Sequence, residues 1–399
     1  MSQIVSEQPS SEHSPRTGVV HHLMHKIMSG RYIVGEPLPS TRKLSQELGV
    51  ARGTISRAFT LLEEEGYLRI GDNGVRIVAH VPKQSAGIVG QSIAVLIAPP
   101  ESWPKGHHEP GWGEFIHRGI IEQVTEAKLH AVTLNPELVD EETVDLLAQN
   151  CPQGMIVGEA ATYSPKIIAM LKALREARLP VVVYGDSSEL AELDRVTSDH
   201  EAGAYALTNL LLSRGCRNNV LLLTKPNKGL YWAEERIRGY ERAMREAGLD
   251  PREVVYLPSV KGEPDRKDEF EENVRLLGGY LLEHVGSNPA DGLLCVSDCF
   301  AFPIAAACRR AGRIPNRDVL IAGYDNYWHE RKERLFETAV PCATADKLNY
   351  VIGQEMVKLL MERISGKLPD APQRRVVEPK IIVTECEALE STLSQTSPG

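Results

Sequence analysis

Residues 38–68 read LPSTRKLSQELGVARGTISRAFTLLEEEGYL, and two short amphipathic helices fall around the tight Leu48-Gly49-Val50 turn. Ser40 or Thr41 is placed to cap the first, in which Leu44 and Leu48 face inward. The second opens with Arg52, Thr54, Ser56 and Arg57 before its apolar face (Ile55, Phe59, Leu62) begins. That is the layout of a helix-turn-helix, whose second helix lies in the DNA major groove with its N-terminal residues at the base edges. Double-stranded DNA is thus the first partner to test. Upstream, Val19, Leu23, Ile27 and Met28 form the apolar stripe of another helix. Downstream, 67–70 and 75–80 read as two strands around Gly71-Asp72-Asn73-Gly74, a hairpin wing.

Charge supports a division of labour. Residues 16–83 hold ten Lys/Arg against six acids, whereas the chain of 399 residues carries −9 overall. A basic head on an acidic body suits phosphate contact at one end only. The length favours two or three domains. With 42% hydrophobic and 25% charged residues, extensive disorder is excluded for most of the chain. No apolar run reaches the roughly 18 residues of a membrane helix. The N-terminus lacks the basic-then-apolar pattern of a secretory signal, so the expectation is a cytoplasmic protein with no membrane partner. Seven scattered cysteines point to reduced thiols, and Cys295 and Cys299 read as a strand running into a buried helix rather than as metal ligands. His21, His22 and His25 have no Cys or acidic partner at ligand spacing, so no metal and no cofactor is expected.

The rhythm changes after residue 83. Residues 1–15 form a Ser/Pro/Glu-rich tail, 16–82 the head, and 83–91 (KQSAGIVG at its core) a linker. From 92 to 387 apolar runs alternate with helical stretches: SIAVLIA, HAVTL, GMIVG, PVVVYG, NVLLLT, EVVYLP, GLLCVSD and VLIAGYD. Near-continuous Val/Ile/Leu strands alternating with helices are the pattern of a parallel α/β sheet covered on both faces. Eight such strands fit one large sheet or two linked lobes, with 388–399 a loose tail. Pocket residues are then expected at the carboxyl ends of the strands. Trp103, Trp112 and Trp232 fall near such ends and are candidates to stack on the apolar face of a ligand. The polar Pro99–Gly113 segment could cap the pocket.

Two family resemblances follow, on separate parts of the chain. Residues 18–80 resemble the GntR-type winged helix-turn-helix, through LPSTRKLSQELGV, RGTISRAF and LLEEEGYL. Residues 92–386 resemble the effector-binding core of LacI/GalR-type repressors, related to periplasmic sugar-binding proteins. The landmarks are FIHRGIIE, SDHEAGAYALTNLLLSRGCRNNVLLL, AEERIRGYERAMREAGL, VSDCFAFPIAAACRRAGRIPNRDVLIAGYDN and YVIGQEMVKLLMERISGK. The combination resembles the arabinose-responsive repressors. It implies a winged helix-turn-helix joined to a two-lobed, periplasmic-binding-protein-like α/β body with parallel sheets, acting as a homodimer on a palindromic operator.

Site expectations attach to both parts. Arg42, Arg52 and Arg57 can each pair with phosphate or with the two acceptors of a guanine edge. Ser40 and Thr54 can donate to phosphate near helix N-termini, and the resemblance makes Arg42 and Arg52 the foremost contacts. In the wing, Gly74 and Arg76 would approach the backbone, although Asp72 and Asn73 stand where such wings usually carry a basic residue. In the body, the resemblance assigns Arg236 as donor of a fork of bonds to ligand hydroxyls and Asp325 as its acidic partner. It places Ser297, where the family usually has Asn, with Asp298 at another strand end, and Asp186 after the fourth strand.

The expected function is a ligand-responsive transcription regulator, a repressor of carbohydrate-utilisation genes released by a small sugar-like effector. Sensing of a purine or another small polar metabolite is one alternative, and a sugar-processing enzyme with a DNA-binding head another. Against catalysis, the chain has no Walker loop and no G-x-S-x-G, and Gly111-Trp112-Gly113 lacks the third glycine of a dinucleotide fingerprint.

Overall fold

The computed structural model describes residues 15–28, 32–71, 74–79, 91–97, 112–139, 143, 147, 152–158, 165–176, 179–260, 266–285 and 289–384. The expected tails up to residue 14 and from 388, linker residues 83–90, most of the helix expected at 140–149, Trp103 and its loop, Asp72 and Asn73 lie outside the described residues.

Helices α1 (Pro15–Met28), α2 (Thr41–Leu48) and α3 (Arg52–Glu64) build the head. Ser40 caps α2, accepting from the Lys43 amide at 3.3 Å, and Gly49 ends it in the left-handed conformation at φ 66°. The following turn is tied by the Ser45 hydroxyl, which donates to the Val50 carbonyl at 2.6 Å. The apolar stripes of the three helices meet in one small core of Leu23, Ile27, Leu44, Ile55, Phe59 and Leu62. Strands β1 (Leu68–Ile70) and β2 (Arg76–Val78) pair antiparallel with Leu68 opposite Val78. Pro37 bridges to Ile77, so the turn before α2 lies along the wing.

Among the described residues the body contains twelve strands, the eight expected and four more, in two six-stranded sheets. In chain order they are β3 (Ser92–Leu96), β4 (His130–Leu134), β5 (Gly154–Val157), β6 (Val181–Tyr184), β7 (Asp194–Ser198), β8 (Asn219–Thr224), β9 (Val255–Leu257), β10 (Gly292–Leu294), β11 (Leu320–Tyr324), β12 (Ala343–Asp346), β13 (Arg374–Val377) and β14 (Lys380–Val383). The first sheet, ordered β13-β7-β6-β5-β3-β4, is wholly parallel. The second, β14-β12-β11-β10-β8-β9, is parallel except for β14. Every residue of β5, β6 and β8 is buried, as a sheet covered on both faces demands. Helices α4 (Trp112–Glu126), α5 (Pro165–Glu176), α6 (His200–Ser213), α7 (Tyr231–Glu246), α8 (Lys267–Val285), α9 (Asp298–Arg310) and α10 (Asn349–Ile364) cover the sheets.

The four strands that apolar runs did not reveal are β7, β12, β13 and β14. Their sequences (DRVTS, ATAD, RRVV, KIIV) carry charged or small residues, because side-chain pairing supports them as well as burial. Asp194 on β7, for instance, receives two bonds from Arg363 of α10, at 2.6 and 2.7 Å.

The chain crosses between the sheets three times: β7 into α6, β12 into α10, and β13 into β14. The crossings touch, since the Asp199 amide donates to the Val377 carbonyl at 3.2 Å. Within the first lobe α4 and α10 approach backbone to backbone. A Cβ at Gly119 would collide with the Tyr350 carbonyl oxygen, and one at Gly353 with that of Ile116. Glycine is needed at both contacts for that reason. Gly353→Val should therefore lower the unfolding free energy by about 1–3 kcal/mol, the usual cost of overpacking, measured by denaturant unfolding. Gly279→Ala, where added atoms meet open space, should cost less.

Candidate DNA-recognition surface and effector cleft

On the head, Ser40, Arg42, Arg52, Ser56 and Arg57 are exposed and Thr54 is half-buried. All lie on the N-terminal halves of α2 and α3 or at their caps, and the three arginines among them are exposed. No side chain caps α3, whose N-cap is Ala51. The Arg57 Nε donates back to the Gly53 carbonyl at 3.3 Å, which lays the side chain toward the start of the helix. Arg76 is differently employed. Its Nε pairs with Glu63 Oε1 at 2.6 Å and its guanidinium lies over the Phe59 ring, 5.0 Å from the centroid. It staples the wing to α3. Gly74 is exposed at the wing turn with φ 70°.

In the body, the predicted residues divide into two groups. Arg236, Ser297, Asp298 and Asp325 are all buried in the second lobe. The Arg236 guanidinium lies between two rings, 4.6 Å from the Trp232 centroid and 3.5 Å from that of Tyr324, and its Nη1 donates to the Val296 carbonyl at 2.6 Å. Trp232 is thereby occupied in part by the guanidinium, a contact that stabilises a desolvated cation. Asp325 pairs with Lys347 Nζ at 2.8 Å, both side chains about 95% buried. The Ser297 hydroxyl meets Cys299 Sγ at 2.9 Å.

Asp298 is turned inward. One oxygen accepts from Thr344 Oγ1 at 2.9 Å, the other from the amides of Tyr327 and Trp328 at 2.8 and 3.1 Å. Burial outweighs these donors and pushes its carboxyl up to about 7. Asp186, in the first lobe, is clamped by Arg195 and Arg374 at 2.5 and 2.6 Å. Trp112 is the first residue of α4, and its side chain lies outside the described residues.

Several residues that sequence reasoning passed over complete this region. His200 opens α6 at the first crossing, buried, with both ring nitrogens lacking a hydrogen-bond partner among the described residues. Around it stand Tyr231, Trp232 and Tyr324, with ring centroids 6.0, 6.2 and 6.3 Å away. Burial, assisted by the cations Arg236 and Lys347, holds its imidazole well below the usual range, so it is neutral at pH 7. The Ser198 hydroxyl, the Arg236 Nε and the Asn349 amide oxygen are likewise buried and unpartnered among the described residues. The lobes meet here: a Cβ added at Gly185, the residue after β6, would lie 3.6 Å from the Tyr231 hydroxyl at the start of α7. An orphaned buried polar atom costs about 1–3 kcal/mol, so this concentration at the lobe junction is what a polar ligand would relieve. The only sequence signal for His200 was its place in SDHEAGAY, beside a helix cap.

Comparison with known proteins agrees with this division. Residues 15–77 match the bacterial regulatory proteins of the gntR family, and residues 208–385 match the periplasmic binding protein-like domain. The chain is 28% identical over 222 residues to the HTH-type transcriptional regulator RegA of Clostridium saccharobutylicum, covering 54% of this chain and 60% of that one. It is 24% identical over 299 residues to the HTH-type transcriptional regulator GntR of Escherichia coli K12, covering 72% and 82%. It thus spans about three-fifths of RegA's length. Among solved structures, the transcriptional regulator CelR–cellobiose complex superposes with a TM-score of 0.58 at 20% identity, over 88% of this chain and all of that one. A ribose-bound LacI family regulator from Enterococcus faecium gives 0.54 at 19%, over 75% and 98%. The class is therefore a GntR-type winged helix-turn-helix set on a periplasmic-binding-protein-like body. Its relatives are named transcription regulators and repressors, not enzymes.

The Asp298 environment generates a pH test. The folded carboxyl holds its proton to about pH 7, while the unfolded one releases it near pH 4. Between those values the folded state binds more protons, so stability should fall as pH rises and level off above 7. The slope approaches about 1.4 kcal/mol per pH unit. Denaturant melts from pH 4.5 to 8 should show it, and Asp298→Asn should flatten it.

Proposed function

We propose that the protein is a cytoplasmic, ligand-controlled transcription regulator that binds a palindromic operator as a homodimer. A small polyhydroxylated molecule entering the cleft between the lobes would release it. In this reading residues 16–82 are the DNA-binding unit, 83–91 the connector and 92–387 the effector-binding and dimerising unit. One observation carries the proposal. A single chain presents three exposed arginines at the mouth of a helix-turn-helix and, separately, a two-lobed body whose junction holds unpartnered buried polar side chains. Among the described residues no helix is long and apolar enough to cross a membrane, which accords with that location.

Control follows from linkage. The effector shifts the operator equilibrium only by its differential affinity for the two arrangements of the lobes. Groups from both lobes would supply such a difference: Ser198 ends β7 of the first sheet, while Arg236 on α7 and Asp325, just after β11, belong to the second lobe. Two solved relatives hold cellobiose and ribose, which supports a carbohydrate-like ligand.

Operator sites selected from random duplex DNA provide the test, read by fluorescence anisotropy. Arg52→Ala should weaken specific binding by about 1–3 kcal/mol and relax preference at one base pair. Arg42→Ala, if it contacts phosphate, should weaken all sequences alike and lower the salt slope by about one. Unchanged specific affinity in Arg52→Ala would overturn the proposed role of α3.

A further inference from the structure

One joint between the lobes holds a backbone conformation that its side chain disfavours. Strand β12 belongs to the second sheet, whereas α10 packs within the first lobe against α4 and β5 to β7. The chain passes from one to the other through Lys347 and Leu348. Leu348 lies in the left-handed region, at φ 57° and ψ 49°. The other non-glycine residues with positive φ among the described ones are Lys128, Asn316, Asp325 and Asn326, none of them apolar. For leucine, which has no polar group to bond locally, that region is disfavoured about 5- to 30-fold. Leu348 also stands at the N-cap of α10, where its side chain caps nothing. At the first crossing the corresponding place holds Asp199, which accepts from the Ala202 amide at 2.8 Å at an ordinary φ of −78°.

Ties to the turn after β11 hold the joint in this state. One oxygen of Asp346 accepts from the Leu348 amide at 2.7 Å, the other from the Asn326 side chain at 3.0 Å. On either side of them Lys347 pairs with Asp325 at 2.8 Å, and the Asp325 amide donates to the Ala345 carbonyl at 2.8 Å. A disfavoured backbone persists only where its surroundings over-determine it, and such strain collects in switch regions. The helix begins at once, since the Ile352 amide donates to the Leu348 carbonyl at 2.9 Å. A change of φ and ψ at residue 348 therefore swings α10, and the first lobe with it, against β12. It does not merely reshape a loop.

We propose that Leu348 is a sprung joint: left-handed in this arrangement of the lobes, it relaxes to negative φ in a second arrangement, so that its strain sets the resting balance between the two. Asp346 is the catch that opposes the relaxation. Leucine keeps strain and ties opposed, and a small perturbation then moves the balance; asparagine or glycine, at ease in the left-handed region, would lock the present arrangement. A ligand that engages Asp325 competes with Lys347 for it and loosens one tie. That consequence rests on the cleft reading above, whereas the joint itself does not.

Hydrogen exchange of the full chain without ligand, read by mass spectrometry, tests the joint, because amides that its opening frees exchange through that opening. Leu348→Asn should slow exchange across 346–352 by about 5- to 30-fold. Leu348→Val, whose branched Cβ suits the left-handed region less, should speed it, as should Asp346→Ala, which removes the catch. The deciding amide lies elsewhere. That of Asp199, on the Val377 carbonyl at 3.2 Å, links the other two crossings. It should follow 346–352 in direction and size in every variant, while the interior of α8 keeps its rate. Leu348→Gly should act as Leu348→Asn does, and these two decide the matter if the valine or alanine variant fails to fold. Slowing confined to 346–352 makes the strain local and overturns the joint. An equal change in α8 is a global effect and overturns it too, as does unchanged exchange in Leu348→Asn.

Discussion

The buried carboxyl of Asp298 ties together three segments of the second lobe that meet near the lobe junction. It begins α9, receives a hydroxyl from β12 and receives two amides from the turn after β11. Gly323 is required beside it, since a Cβ there would collide with the Asp298 carboxyl oxygen. With that knot in place, Asp325 and Asn326 take up the left-handed region, at φ 87° and 57°, which Asp and Asn enter more readily than other non-glycine residues. The Asn326 amide adds a further restraint, reaching Thr344 Oγ1 at 3.2 Å. The turn delivers Asp325 to Lys347, and β10 delivers the Val296 carbonyl to Arg236.

Charge placement distinguishes two roles that similar residues play. Asp186 and Arg76 spend their charges within the protein, and Asp298 its hydrogen-bonding capacity, so that all three hold segments together. Arg236 and His200 keep hydrogen-bonding capacity that the fold leaves unused. Arg42, Arg52 and Arg57 keep theirs for the opposite reason, because they stand in water, where an uncompensated charge costs little. The same residue type is therefore inexpensive on the head and costly where it is buried.

Much of this was legible along the chain. The helix-turn-helix is local: caps, a left-handed Gly49 and 3.6-residue periodicity act over a few residues, so α2, α3 and the wing could be placed from sequence. The eight apolar strands were equally plain, because a strand buried on both faces must be hydrophobic throughout. Strands β7, β12, β13 and β14 were not. They are short and partly polar, and they depend on partners such as Arg363 that lie far along the chain. Arg236 and Asp325 were identified by resemblance, but the Asp325–Lys347 pair had no local signature across 22 residues.

The sequence by itself determined the two modules, the basic recognition helix and the parallel α/β character of the body, because each is written in short-range periodicity and composition. Only the tertiary structure decided how the chain crosses between the two lobes, that His200 stands buried at the first crossing beside Tyr231, Trp232 and Tyr324, and that Arg76, Asp186 and Asp298 have protein partners. Those outcomes depend on which distant charges meet and which remain unpaired once water is excluded. Pairing of that kind is a property of packed space rather than of position along the chain.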